Sequence, residues 1–213
     1  MSEPPRPSLP RPVLPVGDAA ALIECADANE ASALATWAAG RFGEVLSDIV
    51  PAMRTVLLVA GDPAMLPSIA REAALADPHC GIATAAEPVR IEVVYDGADL
   101  AACAGTLGVS VDALIRQHQG AHWRVAFIGF APGFGYLMAD DWPHRLARRA
   151  DPRPRVPAGS VAIADGFSGI YPGASPGGWQ LIGRTSARVW DVEATPPTPF
   201  APGVPVRFVA AER

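Results

Sequence analysis

Beyond about residue 120 the helical periodicity of this chain stops, and short β-rich runs alternate with glycine and proline turns. The runs are His122–Phe130, Gly159–Ala164, Trp179–Gly183, Ala187–Val192 and Val204–Val209. Strands this short cannot each bury a face alone, so the pattern predicts a shared core in a barrel or sandwich. No internal repeat is visible.

Upstream the texture is mixed. Residues 1–12 read as a proline-rich disordered tail. Ala20–Cys25 is apolar and strand-like. Asp27-Ala-Asn-Glu30 has capping-box spacing, and the alanine-rich run to Ala39 suits a helix stopped by Gly40. Thr55–Ala60 reads as a buried strand, and Asp62-Pro63 caps a second helix reaching about Ala76. Val89–Tyr95 alternates as a strand. The expectation is a β-α-β-α-β module over residues 13–95, an α+β domain, followed by a barrel or sandwich over 96–213. Two helices open the second half, Ala98–Gly105 and, capped by Ser110, Val111 to about His118. Val111, Leu114 and Ile115 of the latter mark one face.

Composition narrows the chemistry. Half of the 213 residues are apolar and 18% are charged, which suits a folded soluble chain. All 17 basic residues are arginine and none is lysine. Schiff-base chemistry and a lysine-dependent phosphate loop are excluded, so an anion must be met by guanidinium forks, backbone N–H groups or a metal. A net charge of −5 argues against a nucleic-acid partner. Cys25, Cys80 and Cys103 are widely separated, form no C-x-x-C pair, and read as reduced thiols of a cytoplasmic protein. No secretory signal and no membrane-spanning run is present.

Three segments of the second half could carry chemistry. Gly129-Phe-Ala-Pro-Gly-Phe-Gly-Tyr-Leu137 ends a strand in a turn whose glycines can expose N–H groups, flanked by Phe130, Phe134 and Tyr136; a tight turn packing its aromatics inward is the alternative. In Asp151–Ala164, Arg153 and Arg155 straddle Pro154 on a stiff ribbon that could hold a carboxylate or phosphate, or stand as a solvated edge. In Ser168–Thr185, Gln180 could bond an amide through donor and acceptor together, with Arg184 and Thr185 following it. Neither G-x-G-x-x-G opening a helix nor a G-x-S-x-G elbow occurs. Of His79, His118, His122 and His144, His118 and His122 are four apart but Gly120 between them breaks the helix that would align them, and His118 lies just before the strand leading to the first segment.

Taken in order, these segments read G-F-x-P-G-F-x-Y-L, P-R-x-R-V-P-A-G-S-V and G-I-Y-P-x-x-S-P-G-G-W-Q-L-I-G-R-T. Over about residues 20–195 the chain resembles the B-component family of bacterial 5-oxoprolinase, as do Tyr95–Leu100 and His118. That family is related to allophanate hydrolase subunit 1, to the carboxyltransferase region of urea carboxylase and to a sporulation-kinase inhibitor. Gly135 and Asp165 depart from its pattern, standing where many relatives carry proline and glycine.

The resemblance implies an α+β N-terminal domain followed by a cyclophilin-like β-barrel. It implies one component of an ATP-hydrolysing 5-oxoprolinase that opens the lactam 5-oxo-L-proline to L-glutamate, with the C component as direct partner and the A component as functional partner. ATP, with Mg2+, would be the co-substrate, and no biotin would be carried on this chain. Its catalytic candidates are His118, Arg153 and Gln180; Phe130, Gly133, Phe134, Arg155, Ser160, Arg184 and Thr185 would bind substrate or nucleotide. The alternatives are a carboxyltransferase-type component of a biotin-dependent system, or a kinase-inhibitor-like binding protein.

Overall fold

A computed structural model describes residues 10–77 and 87–211, so His79 and Cys80 lie outside the described residues. The chain divides into two compact units, Met1–Ala83 and Thr84–Arg213.

The first unit is an antiparallel sheet with two helices. Strands β1 (Val13–Val16), β2 (Ala20–Glu24), β3 (Leu46–Pro51) and β4 (Thr55–Ala60) lie in the order β1-β2-β4-β3. Helices α1 (Ala28–Phe42) and α2 (Leu66–Leu75) bury Leu34, Ala38, Ile69 and Ala73 together with Ile23, Val56 and Leu58 of the sheet. The capping expectation holds: an Asp27 side-chain oxygen accepts the Glu30 N–H at 2.9 Å. The expected stop at Gly40 does not. The helix runs on to Phe42, whose ring packs edge-on against Trp37 at 5.6 Å, and it closes where the Gly43 N–H reaches the Ala39 carbonyl. A single mid-helix glycine costs only about 1 kcal/mol, less than that packing returns.

β1 and β3 were not legible in the sequence because each contains a proline (Pro15, Pro51), a residue that edge strands tolerate and central strands do not. Arg11, expected from sequence to lie in the tail, is instead held in place. Its guanidinium bonds Glu30 at 2.8 Å and the Ala76 carbonyl at 2.7 Å, capping the last turn of α2.

In the second unit seven strands form one mixed sheet: β5 (Val89–Val93), β6 (Trp123–Ile128), β7 (Gly135–Met138), β9 (Ser160–Ala164), β10 (Phe167–Ile170), β12 (Gln180–Arg184) and β13 (Pro205–Ala210), in the order β12-β9-β10-β7-β6-β13-β5. The strand at Val89–Val93, read from sequence as the end of the first module, runs here parallel to β13. The sheet curls until its two edges meet. Val94, just past β5, exchanges backbone hydrogen bonds of 2.8 and 2.9 Å with Arg184 at the end of β12. Closure requires glycine, since a Cβ on Gly97 would overlap the Leu181 carbonyl.

The nearly closed sheet encloses Ile91, Val93, Val125, Leu137, Val161, Ile163, Ile182 and Phe208. Helices α3 (Leu100–Leu107) and α4 (Val111–Gly120) follow β5, and the Ser110 hydroxyl caps α4 at the Ala113 N–H, 3.1 Å away. A small ribbon pairs β8 (Arg153–Val156) with β11 (Ser175–Gly177). Asp165 and Gly166, with φ of +50° and +88°, make the tight β9–β10 hairpin, so Asp165 occupies a conformation that glycine adopts without strain. The strand expected at Ala187–Val192 is irregular. The barrel edge it would have joined is already taken by Val94. No helix among the described residues is long and apolar enough to cross a membrane.

Candidate functional site

The loop joining β6 to β7 is the most strained segment of the barrel. The Ala131 N–H donates to the Gly129 carbonyl at 2.8 Å, a γ-turn centred on Phe130 at φ +69°. Gly133, at φ +77°, sits where a Cβ would fall 2.7 Å from that of Trp190. The outcome of this backbone is a phenyl ring that is 61% exposed at Phe130 above a fully buried one at Phe134. Holding a large apolar side chain out on a left-handed backbone costs on the order of 1–3 kcal/mol, and such strain concentrates at sites of function.

Phe134 is the centre of an aromatic layer. Phe130, Tyr136, Tyr171 and Trp179 stand edge-on to it with centroids 5.1–5.3 Å away. Phe127 stacks on Tyr136 at 4.3 Å, and Phe167 meets both. These rings lie apart from the barrel core, to which the neighbouring strand residues Val125 and Leu137 belong. Burial pushes the Tyr171 phenol up, against the pull of the Trp179 backbone N–H and of Arg148 and Arg153. It also pushes Tyr136 up, against the pull of Arg148. Both hydroxyls therefore sit in the field of the same arginine-rich segment.

That segment is organised by Asp99, a residue the sequence reading did not single out. Asp99 is 6% exposed. One of its oxygens accepts from Arg153 Nη2 at 2.7 Å and Arg149 Nη1 at 3.3 Å, and the other from the Leu181 N–H at 2.7 Å. Burial would raise the carboxyl, but the hydrogen bonds from Arg153 and Leu181 and the two guanidinium charges hold it below the ordinary aspartate range. One carboxylate thus serves two cations, while Arg149 Nε and Arg153 Nη1 are buried without a partner. Arg148 pairs with Asp165 at 3.2 Å.

His118 occupies a different environment. It is fully buried between Trp123, Trp142 and Phe208, with Nδ1 2.8 Å from the Tyr95 hydroxyl and Nε2 2.8 Å from the Ser168 hydroxyl. Burial drives its pKa down to about 3. The ring is therefore neutral, and both of its nitrogens are satisfied. The Ser168 hydroxyl can in turn donate to the Ala162 carbonyl, 3.4 Å away, which fixes a consistent order: Tyr95 O–H to Nδ1, Nε2–H to Ser168. His118 is a core residue; its burial, with one hydroxyl partner from the loop after β5 and one from β10, was not readable from helix position alone.

The remaining candidates divide. Phe130 and Phe134 meet in the aromatic layer, with Gly133 in the turn between them; Arg153 is tied to Asp99, and its charge reaches Tyr171 of that layer. Gln180 lies on the α3 side, its Nε2 donating to the Ala147 carbonyl at 3.1 Å. Arg155 is exposed on the β8 ribbon. Arg184 is exposed and paired with Asp96 at 2.9 Å. Ser160 is a buried strand residue, and the Thr185 hydroxyl accepts the Ala187 N–H at 3.0 Å. Those two shape the β9–β12 end and do not converge with the arginines. Asp99, Arg148, Arg149, Tyr171 and Trp179 were missed; Asp99 stands in the Tyr95–Leu100 stretch and the two aromatics in the third segment, so the motifs contained them. Among the described residues, no group of three or more His, Cys, Asp or Glu side chains is placed to hold a metal ion.

The model of the family described as carboxyltransferase domain, subdomain C and D, matches residues 11–200. This chain belongs to that family. Among its curated relatives, the B component of 5-oxoprolinase from Escherichia coli O157:H7 is 45% identical over 124 residues, 57% of this chain and 57% of that one. The B component of the Bacillus subtilis 5-oxoprolinase is 40% identical over 124 residues, 57% of this chain and 52% of that one. The match thus spans about half the length of these relatives. The solved structure of TTHA0988 superposes on 92% of this chain and 40% of its own, at 35% identity and a TM-score of 0.73. Kluyveromyces lactis urea carboxylase, at 18% identity and a TM-score of 0.70 over 99% of this chain and 23% of its own, shares the fold of this carboxyltransferase-domain member.

Proposed function

We propose that this chain is one component of an ATP-dependent 5-oxoprolinase, opening 5-oxo-L-proline to L-glutamate in a cytoplasmic complex with the C and A components. The observation that carries this reading is the 45% identity to a chain named as the B component of 5-oxoprolinase. In this reading the second unit is a cyclophilin-like barrel that carries its site on the outside, between the Phe130 loop and the Asp99–Arg149–Arg153 cluster. An unstrained lactam resists hydrolysis, so its amide oxygen must be activated at the expense of ATP. The exposed Phe130 ring offers a wall for a nucleotide base. The lysine-free chain meets negative charge with guanidinium groups, and backbone N–H groups of the Gly133–Gly135 turn can add to them. Mg2+ would arrive with the nucleotide, held by phosphate oxygens. His118 is given no proton-transfer role, because its nitrogens are bonded inside the core.

The family description favours a second reading, in which the same barrel receives a carboxyl group from carboxybiotin on another protein. The test separates the two. The chain is co-purified with the C and A components, and ADP and glutamate are measured with and without 5-oxoproline. ADP and glutamate formed together, only with all chains present, support the 5-oxoprolinase. Failure to form either, with carboxyl transfer when a biotin carboxylase and carrier are supplied, supports the second reading.

A further inference from the structure

A cavity of about 420 Å3 lies between α3 and the segment preceding β8, lined among others by Ala102, Thr106, Arg148, Arg149, Asp151 and Gln180. Its volume suits a small metabolite. Three observations bear on what it would take. First, Arg149, which lines it, belongs to an unbalanced cluster: Arg149 and Arg153 share the single carboxylate of Asp99, leaving one positive charge over in a partly buried place. Such a charge is costly unless an anion joins it. Asp151 also lines the cavity, but it is exposed, where solvent screens it.

Second, the guanidinium of Arg149 is held by Asp99 through Nη1, and its side chain remains 36% exposed at the cavity. A pinned guanidinium presents its remaining N–H groups to a carboxylate with little loss of side-chain freedom. Third, the Gln180 amide is fixed through its nitrogen on the Ala147 carbonyl, so its oxygen is available to accept an N–H from a ligand. Carboxylate recognition and amide recognition thus meet across one small cavity.

We infer that this cavity binds a small lactam that carries a carboxylate, the carboxylate on Arg149 and the ring N–H on the oxygen of Gln180. The inference rests on the proposed 5-oxoprolinase reading and locates its substrate on this chain, on the α3 side of the arginine cluster. Arg153 then acts as a positioning residue that shares Asp99 with Arg149, and Phe130 lies outside this pocket.

The full chain alone is titrated with 5-oxoproline by calorimetry and by ligand-observed NMR. In parallel, 2-pyrrolidinone, which lacks the carboxylate, and acetate, which lacks the lactam, are titrated. The expected result is binding of 5-oxoproline at least tenfold tighter than either fragment. Arg149→Gln should weaken it tenfold or more. Because Arg149→Gln could disturb the Asp99 cluster, Ala102→Phe, which fills the cavity from α3 and removes no partner of Asp99, should abolish binding at an unchanged melting temperature. Absence of binding to the free chain, or binding unchanged in Ala102→Phe, overturns the inference, even if the assembled complex still cleaves 5-oxoproline. Binding that follows these expectations, in a complex that forms no glutamate, leaves the site standing and removes the 5-oxoprolinase reading.

Discussion

His118 and Asp99 are both buried polar side chains of the second unit, but their hydrogen-bond networks end differently. Around His118 the network closes: Tyr95, the imidazole, Ser168 and the Ala162 carbonyl pass one donor to each acceptor, inside a wall of tryptophan and phenylalanine. Around Asp99 it stays open, since two arginines compete for one carboxylate and two guanidinium nitrogens are left without acceptors. A closed network specifies a core and offers nothing to a ligand. An open one keeps unsatisfied polarity beside a cavity and an exposed, strained aromatic.

The sharpest way to break this contrast is at Asp99. Asp99→Ala leaves Arg149 and Arg153 partly buried and unpaired and removes the acceptor of the Leu181 N–H; a loss of about 3–5 kcal/mol is expected in chemical denaturation. An effect below about 1 kcal/mol would mean that the cluster is solvated and organises nothing. Next, His118→Leu should cost about 2–4 kcal/mol, because the Tyr95 and Ser168 hydroxyls lose their partner in the core. Among molecules that remain folded, the pH dependence of the assembled complex should keep its shape; loss of one limb would restore a proton-transfer role to His118.

The histidine also sets an acid dependence. Its pKa is lowered to about 3 in the folded chain from an ordinary 6.5, so the unfolded chain binds the extra proton first. Its contribution to stability is therefore constant above about pH 6.5 and falls as pH drops toward 3, by roughly tenfold in the folding constant per pH unit. Denaturant titrations between pH 7 and 4 should show this slope in the native chain and a shallower one in His118→Leu. The smallest effect belongs to the strained loop. Phe130→Gly relieves the left-handed backbone and should leave stability unchanged or raise it by up to about 1 kcal/mol, since the ring buries little.

Much of the fold could be read from residue patterns. The capped helices, the change of texture into short strands and the arginine ribbon all lie close to where periodicity and punctuation put them. What failed did so for physical reasons. β1 and β3 carry prolines that mark edge strands, and β5 joins β13, a partner more than a hundred residues away in sequence that local pattern cannot reveal. The site was legible as motifs and illegible as geometry. Phe130, Phe134 and Arg153 were found because glycine and proline frame them. Asp99, which ties Arg153 to Arg149, is an ordinary aspartate before a helix until β12 arrives beside it.

In the proposed enzyme the outer layer carries the chemistry, with the barrel core serving only to hold it. The direct measurement is the initial rate of 5-oxoproline-dependent ADP release by the complex assembled with the C and A components, comparing the native chain with Phe130→Ala. The expected result is a fall of about tenfold or more at an unchanged melting temperature and unchanged assembly. An undiminished rate would show that the exposed ring and its strained loop take no part in the reaction, and would contradict the placement of the site.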